Sequence, residues 1–150
     1  MKSKKKRIQW KNIRMVPILH NRMEFAMEVR RQFEEFKPDH LAVEFPDTLE
    51  EKLIKGIKRL PLLSVVYYEE EDGEFTYLVL EPTDGQVEAI RLAISKGIPV
   101  HFIDRDTEGY PLDFTPMPDP YAVTKIGHFM YCQAYLKLSS GDAALPDDTL

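Results

Sequence analysis

Three polar positions stand where apolar runs of this chain give out. His20 follows Met15 to Leu19, Glu44 lies in Leu41-Ala42-Val43-Glu44-Phe45-Pro46, and Asp104-Arg105 follows Ile98 to Ile103. One histidine and two carboxylates can hold a divalent cation and leave positions open for water. The candidate metal ligands are therefore His20, Glu44 and Asp104. The same groups can do acid–base work, with Glu44, Asp104 and Arg105 as catalytic candidates. A plainer reading stays open beside both: polar residues at strand ends cap helices or pair with each other. Glu44 beside Arg22 or Arg105 would then be an ordinary salt bridge.

Other positions carry less. His40 starts one apolar run and His101 lies inside another, where a packed or surface histidine is the ordinary case. His128 and Cys132 are four apart on a helical stretch and share a face, but Phe129 and Met130 beside them suggest core or interface. A nucleophilic cysteine would need a base and an anion-stabilising site, and neither is evident. Glu81 also ends an apolar run and can line the same crevice as Glu44. No G-x-G-x-x-G or G-x-x-x-x-G-K follows a strand, so no dinucleotide or nucleoside triphosphate cradle is expected.

The elements that must position these residues follow from periodicity. Ile13 to Leu19 reads as a strand, with Pro17 forcing an early bulge or end because proline donates no ladder hydrogen bond. Ala26, Val29, Phe33 and Phe36 recur at helical spacing, which predicts a helix from about Arg22 to Phe36. Pro38 stops it. His40 to Phe45 is nearly continuous in apolar residues, as a strand covered on both faces should be. Asp47 with Glu50 resembles a capping box, and Leu49, Leu53, Ile57 and Leu60 form the next buried stripe. Asp72-Gly73 between Leu62–Tyr68 and Phe75–Leu80 signals a hairpin. Thr83 with Gln86 offers a second capping box for a helix through Val87, Ile90 and Ile94, and Gly97 is a good residue to end it. A strand over Ile98–Ile103, a proline-rich link over Tyr110–Pro120 and a helix from Asp119-Pro120 to about Leu138 complete the chain.

Alternating strands and helices predict an α/β fold: a mainly parallel sheet with helices on both faces, one β-hairpin and a C-terminal helix, in Rossmann-like layering. Ligands in such folds bind beyond the carboxyl ends of the strands, where His20, Glu44 and Asp104 are expected to meet. The expected organisation is a basic flexible arm over 1–11, a single α/β domain over 12–138 and a disordered acidic tail over 139–150.

Composition bounds the function classes. The chain of 150 residues carries net charge −5, yet its first 14 residues hold seven basic groups and no acid, leaving −12 for the rest. The arm can touch a polyanion, but the acidic body would repel one, which argues against nucleic acid as a partner. No run approaches the length of a membrane span. A single cysteine excludes an internal disulfide, and a reducing, cytoplasmic setting is the default. The aromatic content of the last helix (Tyr121, Phe129, Tyr131, Tyr135) suits cover for a sheet, pairing with another copy, or contact with a further C-terminal domain.

The succession Ile18-Leu19-His20-Asn21-Arg22, Lys37-Pro38-Asp39 and Val43-Glu44 resembles the opening of the TraB, TIKI, ChaN and erythromycin-esterase-like superfamily. Its members begin with a strand ending in Gly-x-x-His, a helix, a Lys/Arg-Pro-Asp turn and a strand ending in Val-Glu. Leu80 to Gln86 and Gly97 to Asp104 are similar to a bacterial family of unknown function near that superfamily. The resemblance covers about Ile13 to Arg105. It implies a metal-dependent hydrolase ancestry, some members being proteases or esterases and others haem binders. Carried over, His20 matches the first-motif histidine, Glu44 the second-strand glutamate and Asp104 the last-strand aspartate. Pro17 stands where the motif has glycine. The superfamily's later histidine-containing half has no evident counterpart after Asp104, as in an isolated N-terminal half.

Overall fold

The computed structural model describes residues 8–69, 73, 75–106 and 117–139. Most of the basic run, the acidic tip of the hairpin, most of the proline-rich link and the C-terminal tail lie outside them. The described residues form a mixed α/β structure in two compact units, one of 18–106 and one of 8–17 with 117–139.

In the larger unit, helix α1 (Met23–Phe36) runs from Arg22 to a left-handed Lys37, whose N–H closes on the Phe33 carbonyl. Strand β3 (Leu41–Pro46) pairs in parallel with β6 (Val100–Asp104), Leu41 opposite Val100 and Val43 opposite Phe102. This is the one parallel pairing among the described residues, whose strands form three two-stranded sheets, two of them antiparallel, rather than a mainly parallel sheet. Val43 and Phe45 are buried on one face, while Ala42 and Glu44 on the other are exposed. The apolar run of β3 is thus covered on one face only. A 3₁₀ turn (Asp47–Leu49) leads into α2 (Glu50–Ile57), and β4 (Ser64–Glu69) pairs antiparallel with β5 (Phe75–Leu80) as the expected hairpin. Gly73 takes φ 83 between them, the left-handed conformation that the Asp-Gly turn signal calls for.

Helix α3 (Gly85–Lys96) is the centre of this unit and packs on α1, α2, β3 and β6. One core gathers Val43, Phe45, Leu49, Leu53, Ile57, Val66, Leu80, Val87 and Ile90 around it. A second, smaller cluster joins Phe33, Leu92 and Ala93. The buried Glu88 of α3 binds Arg30 of α1 at 2.6 Å and Arg91 at 2.7 Å, so an ion triad ties the two helices together.

In the smaller unit, β1 (Ile8–Trp10) and β2 (Ile13–Met15) form a short antiparallel pair. The strand read over Ile13–Leu19 therefore stops at Met15, two residues before Pro17. The C-terminal helix comes in two pieces, α4 (Ala122–Ile126) and α5 (His128–Ser139). Gly127 separates them at φ 82, ψ 156, a conformation outside the helical region. Asp119 Oδ1 accepts from the Tyr121 N–H at 3.0 Å in the turn before α4, so it is not the cap: Tyr121 stands at that position and the helix has no side-chain cap. The Tyr131 hydroxyl donates to the Pro118 carbonyl at 2.7 Å. No helix among the described residues is long and apolar enough to cross a membrane.

Candidate functional site

Helix α3 begins at Asp84, which stands in extended conformation and caps it: Oδ1 accepts from the N–H groups of Gln86 (2.8 Å) and Val87 (3.2 Å). The cap is thus Asp84 and not Thr83, whose hydroxyl donates to Glu81. Capping occupies one carboxylate oxygen. The other, Oδ2, accepts from His20 Nδ1 at 2.8 Å and from the Asn21 N–H at 3.1 Å. A carboxylate can only accept, so His20 Nδ1 carries the proton and Nε2 is the ring's other face to the outside. The His20 side chain is 59% exposed and that of Asp84 is 5% exposed. A buried carboxylate thus holds an outward-facing imidazole in one tautomer.

Two local features deliver His20 to this place. Asn21 adopts φ 56, a left-handed turn that asparagine tolerates better than most residues, and this turns its N–H toward Asp84. Gly85 lets the incoming chain lie close to the first turn of α3: a Cβ there would stand 2.8 Å from Ile18 Cγ2. Any side chain at 85 would push the 18–21 segment away from the cap.

The charges reinforce each other. The hydrogen bond to Asp84 raises the His20 pKa above its ordinary value; burial opposes this, and the charges of Asp84 and Glu44 add to the rise. For Asp84, burial pushes upward, but the hydrogen bond and charge of His20, with the N–H groups of Val87 and Asn21, more than offset it. Its carboxyl is held below the usual value. Glu44 is exposed on β3 and acts on His20 through its charge rather than by contact.

Asp104 ends β6 opposite Pro46, and its Oδ1 accepts from the Arg105 N–H at 2.9 Å. Asp104 and Arg105 are exposed, and among the described residues neither Glu44 nor Arg105 makes an ion pair. No three or more His, Cys, Asp or Glu side chains among the described residues are gathered to hold a metal ion. His20, Glu44 and Asp104 therefore do not form a donor set here, and the Nδ1 of His20 is committed to Asp84. In the smaller unit, His128 Nε2 donates to the Pro17 carbonyl at 2.6 Å and lies 3.9 Å from Cys132 Sγ. A nitrogen that donates its proton elsewhere is no base for a thiol, and burial pushes the Cys132 thiol up.

No protein-family model, curated protein or solved structure matches this chain.

Asp84 is the residue that sequence reasoning missed. The signal was present: aspartate is among the best helix caps, and Asp84 precedes the first helical residue. Reading Thr83–Gln86 as the box hid it. That Oδ2 would meet a histidine 64 residues away has no local signature.

Proposed function

We propose that residues 18–106 act as a TraB/erythromycin-esterase-like hydrolase domain in which His20 is the acid–base group. The observation that carries this is the His20–Asp84 pair: a solvent-facing imidazole oriented by a buried, multiply hydrogen-bonded carboxylate. That arrangement suits proton transfer. Neutral His20 presents the Nε2 lone pair outward and can take a proton from a water attacking an acyl carbon. The imidazolium so formed is stabilised by Asp84 and can return the proton from Nε2 to the leaving oxygen. Glu44 adds negative charge beside the site and favours the same imidazolium. This proton transfer draws only on His20, Asp84 and water.

The test is hydrolysis of a panel of activated esters by the full chain. Activity is expected to rise with pH through a value above 6.5, the ordinary histidine value that Asp84 raises. His20→Ala should abolish it and Asp84→Asn should lower kcat by at least tenfold. Turnover indistinguishable from buffer, or a His20→Ala variant as active as wild type, would overturn the assignment.

A second reading is an interaction domain that pairs with another copy or with a further C-terminal domain through the last helix. The exposed Tyr121, Met130 and Leu136 of α4 and α5 favour it.

A further inference from the structure

His40 and His101 meet at the opposite, N-terminal ends of the two parallel strands. His40 immediately precedes β3 and His101 is the second residue of β6, in register with Ala42. Both side chains therefore leave the same face of the strand pair, the face on which Ala42 and Glu44 are exposed. His40 Nδ1 lies 2.8 Å from His101 Nε2. The rings are within 26° of parallel with centroids 5.1 Å apart. At that separation the two nitrogens face each other end to end, so a single shared proton lies between two lone-pair positions.

We propose that this pair is a binding site for a borderline divalent cation of the zinc, nickel or copper kind. Imidazole nitrogen is the ligand such cations favour, whereas magnesium and calcium take oxygen ligands. Two nitrogens at about 2.0–2.1 Å from a shared ion, with a ligand–metal–ligand angle of about 90–109°, stand about 2.8–3.4 Å apart. The observed pair needs to open by at most a few tenths of an ångström, with the rings turned so that both lone pairs address one point. Their backbones are already fixed by the ladder, Leu41 N–H donating to the Pro99 carbonyl at 3.0 Å beside the Ala42–His101 register. Exposure leaves the side-chain torsions free for that turn. The proton displaced from between the rings moves to the other nitrogen of the same imidazole, so both rings stay neutral and water fills the remaining positions. Fixed backbones lower the ordering cost of bringing two ligands together. The site is independent of His20, because Glu44 and Asp104 mark the other ends of the same strands.

Calorimetric titration of the tag-free full chain with Ni²⁺ alone tests this, with the rise in melting temperature on Ni²⁺ addition as a second readout. Wild type is expected to bind one ion saturably and melt higher with it. His40→Ala and His101→Ala should each weaken binding at least tenfold and remove the melting shift. His20→Ala should leave both within twofold, whatever it does to hydrolysis. His40→Gln, which keeps a polar group of similar size, repeats the loss if the alanine variant folds poorly. Absence of saturable binding by wild type would overturn the site. So would unchanged binding in both alanine variants, or binding lost only with His128→Ala.

Discussion

At the scale of single residues, the His20–Asp84 pair couples the candidate chemistry to stability. The unfolded reference values are 6.5 for His20 and 3.8 for Asp84. A histidine raised on folding contributes stability that is complete below 6.5 and is lost as pH rises through its folded value. A carboxyl lowered on folding contributes stability present above 3.8 and lost as pH falls through its folded value. Both describe one charge pair, so its contribution is greatest between these two reference values and declines on either side. Denaturant unfolding across pH 5 to 9 should therefore show wild type losing stability above 6.5. The loss is about 0.5–1 kcal/mol, because the imidazole is largely exposed and screened. Asp84→Asn should flatten that decline without unwinding α3, since asparagine caps a helix nearly as well as aspartate. An equally steep decline in the asparagine variant would show that other groups carry it.

At the scale of elements, the close seating of α2 on the hairpin is set by a missing side chain. A Cβ at Gly56 would collide with Leu80 Cδ1 and lie 3.4 Å from Ser64 Cβ. Leu80 is fully buried among Leu53, Val66 and Ile90 and has no room to swing away. Glycine to alanine inside a helix ordinarily gains about 1 kcal/mol, but overpacking a filled core costs about 1–3 kcal/mol. Gly56→Ala should therefore lower stability on balance, by about 1 kcal/mol, and Leu80→Val on top of it should recover part of the loss. A stabilised Gly56→Ala variant would mean that α2 stands off the hairpin.

Most of these elements were legible from periodicity, because amphipathic stripes and Gly or Pro punctuation are local signals. The helix over Met23–Phe36, the hairpin and the left-handed Gly97 are cases in point. What escaped was long-range. The sequence of β3 cannot say which strand lies beside it, or that one of its faces stays open, since buried and exposed apolar residues look alike in a run such as Leu41-Ala42-Val43. Gly127 breaks the last helix although the residues on both sides of it favour helix; a single glycine inside such a pattern reads as tolerated. In the site, His20 reads as a strand end, but the strand stops at Met15 and the turn at Asn21 places the histidine; Glu44 lies inside β3 and reaches the site by charge alone. Asp84 was overlooked because half of its role is a cap and the other half is a contact made only after folding.

At the scale of the whole molecule, charge and apolar exposure bear on association. The net charge of −5 gives only weak repulsion between copies. Among the large apolar side chains that stand exposed, two groups bear on association. One is the outer face of the β4–β5 pair, where Val65 is opposite Val79 and Tyr67 opposite Tyr77; the other is Tyr121, Met130 and Leu136 on α4 and α5. Scattered exposure is ordinary, but contiguous apolar patches mark interaction surfaces. If the last helix serves association, sedimentation analysis over a wide concentration range should show mass rising with concentration, and Leu136→Glu should abolish the rise. Tyr77→Glu, on the other group, should leave it intact. A mass independent of concentration would remove self-pairing by this helix. A rise insensitive to Leu136→Glu but abolished by Tyr77→Glu would move the contact to the hairpin face. In neither case would the hydrolytic assignment change, since His20 and Asp84 complete their pair within one chain.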